Sequence, residues 1–325
     1  MPPVDGHSDL VRIVFAGTPE AAVPSLRALH ASNHEIVAVL TRPPAPKGRG
    51  RQVEPSPVAA VAEELQLRIL APARLSNPEF VSELGSLRPQ CCPVVAYGSL
   101  VTPELLRVPE FGWVNLHFSL LPAWRGAAPV QHAILHGDDI TGATTFQLDE
   151  GLDTGPILGQ LTERISQEDT AGDLLGRLSA SGAKLLVQTM DAVADGSVRA
   201  EPQPIEGISF APKLSVDDAR VNWDVAALNV NRLIRACHPS PGAWTTHNEL
   251  RLKLLGSTVV TGSDVTDSDV TDLAPGQVRV QKNDVTVGCG ISAVRLETVQ
   301  PQGKRPMAAA DWVRGLRNAD GLTLR

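Results

Sequence analysis

The chain has 325 residues, 42% hydrophobic and 20% charged, a composition suited to a folded protein with room for two domains. Aromatics make up only 4%, with Tyr97 the single tyrosine, so Val, Leu, Ile and Ala must fill the cores. No apolar run approaches the ~18 residues that cross a bilayer, and MPPVDGHSDL lacks the basic and apolar parts of a signal peptide, which argues against membrane insertion or export and for the cytoplasm. The net charge of −7 is unevenly spread. Residues 1–209 carry 15 Lys/Arg against 24 Asp/Glu, whereas residues 210–325 carry 14 against 12. Four of those twelve acids, Asp264, Asp267, Asp269 and Asp272, sit in one polar insert, TGSDVTDSDVTD. An acidic first part joined to a mildly basic second part is compatible with a polyanionic substrate.

In chain order, VRIVFA (11–16) reads as a buried strand ending at Gly17, followed by TPEAAVPSLRALHAS. Thr18 as N-cap and Pro19 as first helical residue predict a helix there. HEIVAVLT (34–41) is a second strand, so the opening is the strand–helix–strand unit of a parallel α/β sheet. Its first turn, FAGTPEAA, has one glycine where G-x-G-x-x-G has three, which does not support dinucleotide binding. RPPAPKGRGR (42–51) follows, and its prolines and glycines predict a loop without regular structure. Arg42, Lys47, Arg49 and Arg51 make it either a solvated loop or a basic arm that grips phosphates. A helix on PVAAVAEELQ, a third strand CCPVVAYG (91–98), a fourth WVNLHF (113–118) and a fifth TGATTFQLD (141–149) continue the sheet.

RAEPQPIEGISFAPK (199–213) suits a linker. The chain then divides into a domain at 1–203, a linker at 204–212 and a domain at 213–325. Past the linker, DVAALNVNRLIRAC is an amphipathic helix, and GAWTTHN, LRLKLLGSTVV, GQVRVQ, DVTVGCG and AVRLETVQP are short alternating segments at hairpin spacing. These predict a small antiparallel β-barrel of the oligonucleotide-binding kind beside a Rossmann-like, mostly parallel sheet. Cys91, Cys92, Cys237 and Cys289 form no C-x-x-C pair and read as packed, reduced thiols.

The chemistry concentrates in GWVNLHFSLLP (112–122). On a strand, Asn115 and His117 share a face, with Val114, Leu116 and Phe118 opposite, and Pro122 turns the chain away. Ligands of parallel sheets bind beyond the carboxyl ends of the strands, so the pair is either catalytic or a satisfied core hydrogen bond. DEGLDTGPIL (149–158) holds Asp153 between Gly151 and Gly155, a second fixed polar group. Its three acids do not continue at the alternate positions a calcium loop requires. His132 and His136 are four apart but lack H-E-x-x-H, and Ser119 lacks the G-x-S-x-G elbow of a nucleophile. No metal is expected.

NLHFSLLPAWRGAAPVQ together with GLDTGPIL resembles the catalytic region of the 10-formyltetrahydrofolate-dependent formyltransferase superfamily. The order FAGTPEAAVPSL, RPPAPKGRGRQVEPSPV, VVAYG, WRGAAP, KLS before VNWD, and a β-rich C-terminal domain is similar to the branch acting on charged initiator tRNA. The resemblance covers residues 10 to 318 and implies formyl transfer from 10-formyltetrahydrofolate to the α-amino group of initiator methionyl-tRNA. It implies Asn115, His117 and Asp153 as the catalytic trio. Ser119, Leu120, Leu121 and Pro122 would line the folate site, and the backbone of Val95, Ala96, Tyr97 and Gly98 would face the pterin. Arg42, Lys47, Arg49 and Arg51 would clamp the acceptor end of the tRNA, which the C-terminal domain also binds. Phe118 stands where the family commonly has glycine, and the acidic insert at 262–272 is particular to this chain. No membrane or obligate protein partner is implied. Rival readings are the same transfer to a sugar-nucleotide or purine amine, and a non-catalytic RNA-binding protein, which would need none of the trio.

Overall fold

The computed structural model describes residues 10–47, 52–260, 273–282, 284–316 and 321–325. Arg49, Arg51 and the acidic insert at 262–272 lie outside the described residues. In chain order the elements begin with β1 (Arg12–Gly17), α1 (Val23–His30), β2 (Glu35–Leu40), β3 (Ala45–Lys47), β4 (Gln52–Glu54), α2 (Pro57–Glu64), β5 (Ile69–Leu70) and α3 (Pro78–Ser86). Then come β6 (Cys92–Val95), α4 (Pro103–Leu106), β7 (Trp113–His117), α5 (Pro129–His136), β8 (Ile140–Gln147), β9 (Ile157–Arg164) and α6 (Ala171–Ala194). The last stretch holds α7 (Ala227–Ala236), β10 (Trp244–His247), β11 (Leu250–Val259), β12 (Val278–Gln281), β13 (Asp284–Gly288), β14 (Ala293–Pro301), β15 (Met307–Ala308) and α8 (Ala309–Arg314). Two compact units result, one of Met1–Pro129, Ile140–Arg164 and Leu175–Phe210, the other of Val130–Asp139, Ile165–Leu174 and Ala211–Arg325.

The first unit carries a seven-stranded sheet of order β5-β2-β1-β6-β7-β8-β9. The five strands from β5 to β7 are parallel, whereas β8 runs antiparallel to β7 and β9 antiparallel to β8. Ile13, Val14, Phe15, Ala38, Val39, Leu40, Val94 and Val95 are buried, as expected of parallel strands covered on both faces. The chain adds strands to one side of β1 and then returns to its other side at β6, so the switch point lies between Gly17 and Val95, which are paired.

Three local expectations change. The helix predicted from Thr18 is a short 3₁₀ turn at Glu20–Ala22 followed by α1, with Pro24 in the first turn of α1. A helix running from Pro19 would put Pro24 in its interior, without the N–H that the preceding turn needs, so the chain restarts. The Thr18 hydroxyl caps nothing and donates instead to the Tyr97 carbonyl at 2.8 Å, across the switch point. The basic stretch is not without regular structure, because β3 and β4 form an isolated antiparallel ribbon pairing Ala45 with Glu54 and Pro46 with Val53. A two-stranded ribbon tolerates Pro46 because each of its strands is an edge. Finally, 199–213 is tied down: Glu201 exchanges backbone hydrogen bonds with Ile157 (2.7 and 2.8 Å), and Arg125 donates to Ser209.

The second unit carries an antiparallel sheet of order β10-β11-β14-β13-β12, with β15 added to β14. All five predicted segments form strands of it. Its core is built from Val230 and Ile234 of α7, Leu252, Leu254, Val285, Val287, Val294, Leu296, Trp223 and Trp312. No helix among the described residues is long and apolar enough to cross a membrane.

Candidate active site

Asn115 and His117 lie on β7, where the sheet changes from parallel to antiparallel, with Val94 of β6 beside Asn115. Strand alternation puts the two polar side chains on one face. On the opposite face Leu116 meets α6 so closely that a Cβ added at Gly182 would stand 3.0 Å from it. His117 is 6% exposed and packs edge-on against buried Phe146 of β8, with ring centroids 6.4 Å apart. Asn115 is half-buried, and its carboxamide has no hydrogen-bond partner among the described residues, so its donors are available to a ligand.

The imidazole is held at one nitrogen and faces a carboxylate with the other. Nε2 lies 2.9 Å from the Trp124 carbonyl oxygen, which can only accept, so Nε2 carries the proton of the neutral ring. Nδ1 then presents a lone pair toward Asp153 Oδ2, 3.9 Å away. Burial pushes the His117 pKa below its ordinary value, opposed by the Asp153 carboxylate and by the Trp124 carbonyl. The ring is therefore neutral near pH 7 and Nδ1 is its basic atom.

Asp153 does not reach His117 by the short route that a parallel strand would give. Because β8 is antiparallel, its end lies beside the start of β7, where Leu148 donates to the Trp113 carbonyl. The following loop must run back along β7 to the far end. Its path is tight: Asp153 has φ 52°, and a Cβ on Gly155 would stand 1.7 Å from the Gln147 carbonyl oxygen. The Asp153 carboxylate accepts a 2.7 Å hydrogen bond from the N–H of Gly126, itself at φ 126°. Trp124, at φ 61°, completes a turn that a bulky side chain adopts only under constraint. That constraint includes Ser119 Oγ donating to Ala123 O (2.6 Å) and Trp124 N–H donating to Ser209 Oγ (2.9 Å).

The predicted stretches 95–98 and 119–122 follow the carboxyl ends of β6 and β7, at the same edge. Ser119 is fully buried with its hydroxyl spent on Ala123, and Leu121 is 3% exposed, so both are packing residues of this edge. Leu120 and Pro122 are partly accessible. Among 95–98, Val95 and Tyr97 are buried, whereas Ala96 (φ 47°) and Gly98 (φ 79°) expose backbone at the switch point. Burial raises the Tyr97 pKa, and the Arg42 charge opposes it. Arg42 donates to the Gly98 carbonyl at 2.8 Å, so it belongs to this rim, while Lys47 lies farther along on β3. Phe118 is 7% exposed and is not at positive φ, so its backbone is one any residue adopts.

Sequence reasoning missed the residues that brace these groups. Thr144, opposite His117 on β8, donates to Ser119 O (2.7 Å), and Gln160 Nε2 donates to Leu121 O (3.0 Å). Arg125, 8% exposed, donates from Nε and Nη2 to Gln203 Oε1. Three threonines in a buried run, TGATTFQ, were the available signal for the first, and nothing local marks Gln203. Among the described residues no group of three or more His, Cys, Asp or Glu is placed to hold a metal ion.

Residues 11–190 match the formyl transferase family model, and residues 213–317 match that of the formyl transferase C-terminal domain. The chain is 58% identical to the methionyl-tRNA formyltransferase of Thermobifida fusca over 96% of this chain and 98% of that one. It is 56% identical to the methionyl-tRNA formyltransferase of Streptomyces coelicolor, again over 96% and 98%. Among solved structures, an N-formyltransferase from Helicobacter canadensis, in complex with folinic acid and dTDP-3-aminofucose, superposes with a TM-score of 0.63 at 18% identity, covering 88% of this chain and 99% of that one. HypX from Aquifex aeolicus, in complex with tetrahydrofolic acid, gives 0.64 at 14% identity over 98% of this chain and 51% of that one, so the chain spans about half of HypX. These two likenesses concern the fold alone. With family models over both units and identity above half along nearly the whole of its relatives, the chain belongs to the formyl transferase family, among the methionyl-tRNA formyltransferases.

Proposed function

We propose that the protein transfers the formyl group of 10-formyltetrahydrofolate to the α-amino group of initiator methionyl-tRNA, in the cytoplasm, giving N-formylmethionyl-tRNA for translation initiation. The observation that carries this reading is the 58% identity to a methionyl-tRNA formyltransferase over both units.

The neutral amine attacks the formyl carbon, its proton passes to His117 Nδ1, and the former carbonyl oxygen becomes negative. Asn115 donates to that oxygen from its unspent carboxamide. Asp153 Oδ2, 3.9 Å from Nδ1, stabilises the imidazolium, and one amine can donate to both acceptors at that spacing. The C–N10 bond then breaks, and the proton moves from His117 to N10, leaving tetrahydrofolate. No covalent enzyme intermediate is needed, in keeping with a Ser119 hydroxyl already spent on Ala123. The pterin would lie against the backbone of 95–98 and the wall at 119–122. The phosphates of the tRNA acceptor end would meet Arg42, Lys47, Arg49 and Arg51, and the C-terminal domain at 213–325 would hold the rest of the tRNA.

Formylation of charged initiator tRNA with labelled 10-formyltetrahydrofolate tests the reading. Label should appear in an alkali-released N-formylmethionine. Transfer only to a sugar-nucleotide or purine amine, or no transfer, overturns it.

A further inference from the structure

We infer that Gln203, in the stretch the sequence presents as a linker, is a positioning residue that aims Asp153 at His117. This inference rests on the catalytic roles proposed above. Gln203 Nε2 donates at 2.8 Å to the carbonyl oxygens of both Asp153 and Gly155. Its Oε1 accepts from Arg125 Nε (3.1 Å) and Nη2 (2.6 Å). The next residue, Gly126, gives its N–H to the Asp153 carboxylate.

The backbone and the side chain of Asp153 are thus held from one place. Gln203 grips the carbonyls of Asp153 and Gly155, which follow the left-handed φ of Asp153, Arg125 grips Gln203, and the segment carrying Arg125 reaches the carboxylate. The turn needs this grip because a non-glycine residue at φ 52° is strained and its loop runs back along an antiparallel strand. Only a carboxamide fits. Its nitrogen supplies two donors for two carbonyls, while its oxygen accepts from a cation. The buried guanidinium also polarises the amide, which strengthens the N–H bonds on the far side. Residue 203 lies 50 positions from Asp153 and 78 from Arg125, so no local pattern announces it.

The test compares Gln203→Ala and Gln203→Glu with the parent in steady-state formylation across pH. Gln203→Glu keeps a partner for Arg125 but has no donors, and so separates the grip on Asp153 from packing. Both should lower kcat roughly 10- to 100-fold, as expected of a catalytic group misplaced by a fraction of an ångström to 1 Å, with KM for methionyl-tRNA unchanged. Since the Asp153 charge raises the His117 pKa, a displaced carboxylate should move the acid limb of kcat to lower pH. Added to Asp153→Asn, Gln203→Ala should have little further effect, because it acts through the group already neutralised. The His117 pKa read by NMR should fall in Gln203→Ala whether or not methionyl-tRNA is the acceptor. Parent protein without transfer defeats the proposed function, whereas an unmoved His117 titration defeats the role of Gln203. An acid limb unchanged despite lower kcat, or full additivity with Asp153→Asn, makes Gln203 merely structural and overturns the inference.

Discussion

Asp153→Asn removes one charge and little else. Asparagine adopts φ near +50° as readily as aspartate does, and its Oδ1 can still accept from the Gly126 N–H. What changes is the field at His117 Nδ1, 3.9 Å away. Two unit charges at that distance interact by about 4 kcal/mol at an effective dielectric of ~20. The Asp153 side chain is 15% exposed, so water trims this to about 2–3 kcal/mol. The interaction exists only while His117 holds the amine's proton, so it lowers the barrier rather than the ground state. Its loss should reduce kcat roughly 30- to 150-fold, with KM for methionyl-tRNA unchanged. The acid limb of kcat should also move to lower pH, because the depressed His117 pKa loses the carboxylate that opposes burial. Steady-state formylation across pH reads both effects. A variant within threefold of parent kcat, or one whose acid limb stays in place, refutes the assignment of Nδ1 as the base.

Asn115→Ala should lower kcat by about 10²- to 10³-fold through loss of one oxyanion donor, while filter binding of tRNA stays at the parent level. Gly155→Ala should be as damaging to turnover as the loss of Asp153, because its Cβ would stand 1.7 Å from Gln147 O and push the loop off its path; parent kcat in that variant contradicts the tight-loop geometry. Neutralising Arg42, Lys47, Arg49 and Arg51 together should flatten the salt dependence of tRNA binding by up to about 0.7–0.9 log units per lost phosphate contact, and an unchanged slope removes these four cations from phosphate binding. His34 is buried, with Nδ1 accepting from Val11 N–H at 3.2 Å and burial depressing its pKa despite Asp191. The unfolded chain therefore takes up a proton at His34 first, so the stability this residue contributes is present above the unfolded pKa of ~6.5 and lost as pH falls toward its folded value; His34→Gln should flatten the fall of the urea midpoint on acidification.

Asn115 and His117 were legible in the sequence because two local rules meet there. Period-two alternation puts them on one face, and Pro122 ends the run. The parallel core was legible for a different reason, since β1, β2 and β6 are short, largely apolar runs rich in Val and bounded by turns. The direction of β8 was not, because TGATTFQLD reads alike in a parallel or an antiparallel neighbour and only the pairing of His117 with Thr144 decides. β5 has two residues, too few to show any period. The brace of Asp153 was invisible for a different reason. Gln203 and Arg125 act through hydrogen bonds across long sequence separations, and a proline-rich stretch looks like a linker whether or not its backbone is tied.

In the proposed mechanism, the antiparallel turn of the sheet at β8 is what lets one imidazole serve as base. A strand parallel to β7 would deliver its following loop to the carboxyl edge directly, exposed to water. Here the loop must travel back along β7, and that path sets Asp153 beside a ring already buried against Phe146. Burial alone would leave His117 too reluctant to hold a proton, and an exposed carboxylate alone would be screened. Together they oppose each other: burial keeps the ring neutral and ready to accept, and Asp153 with the Trp124 carbonyl makes acceptance affordable once it happens. The same Trp124 carbonyl fixes which nitrogen is free, so one contact sets the direction of the base while burial and Asp153 set most of its strength. The strain at Trp124 and Asp153 follows from this requirement, since both turns must bend back toward one ring.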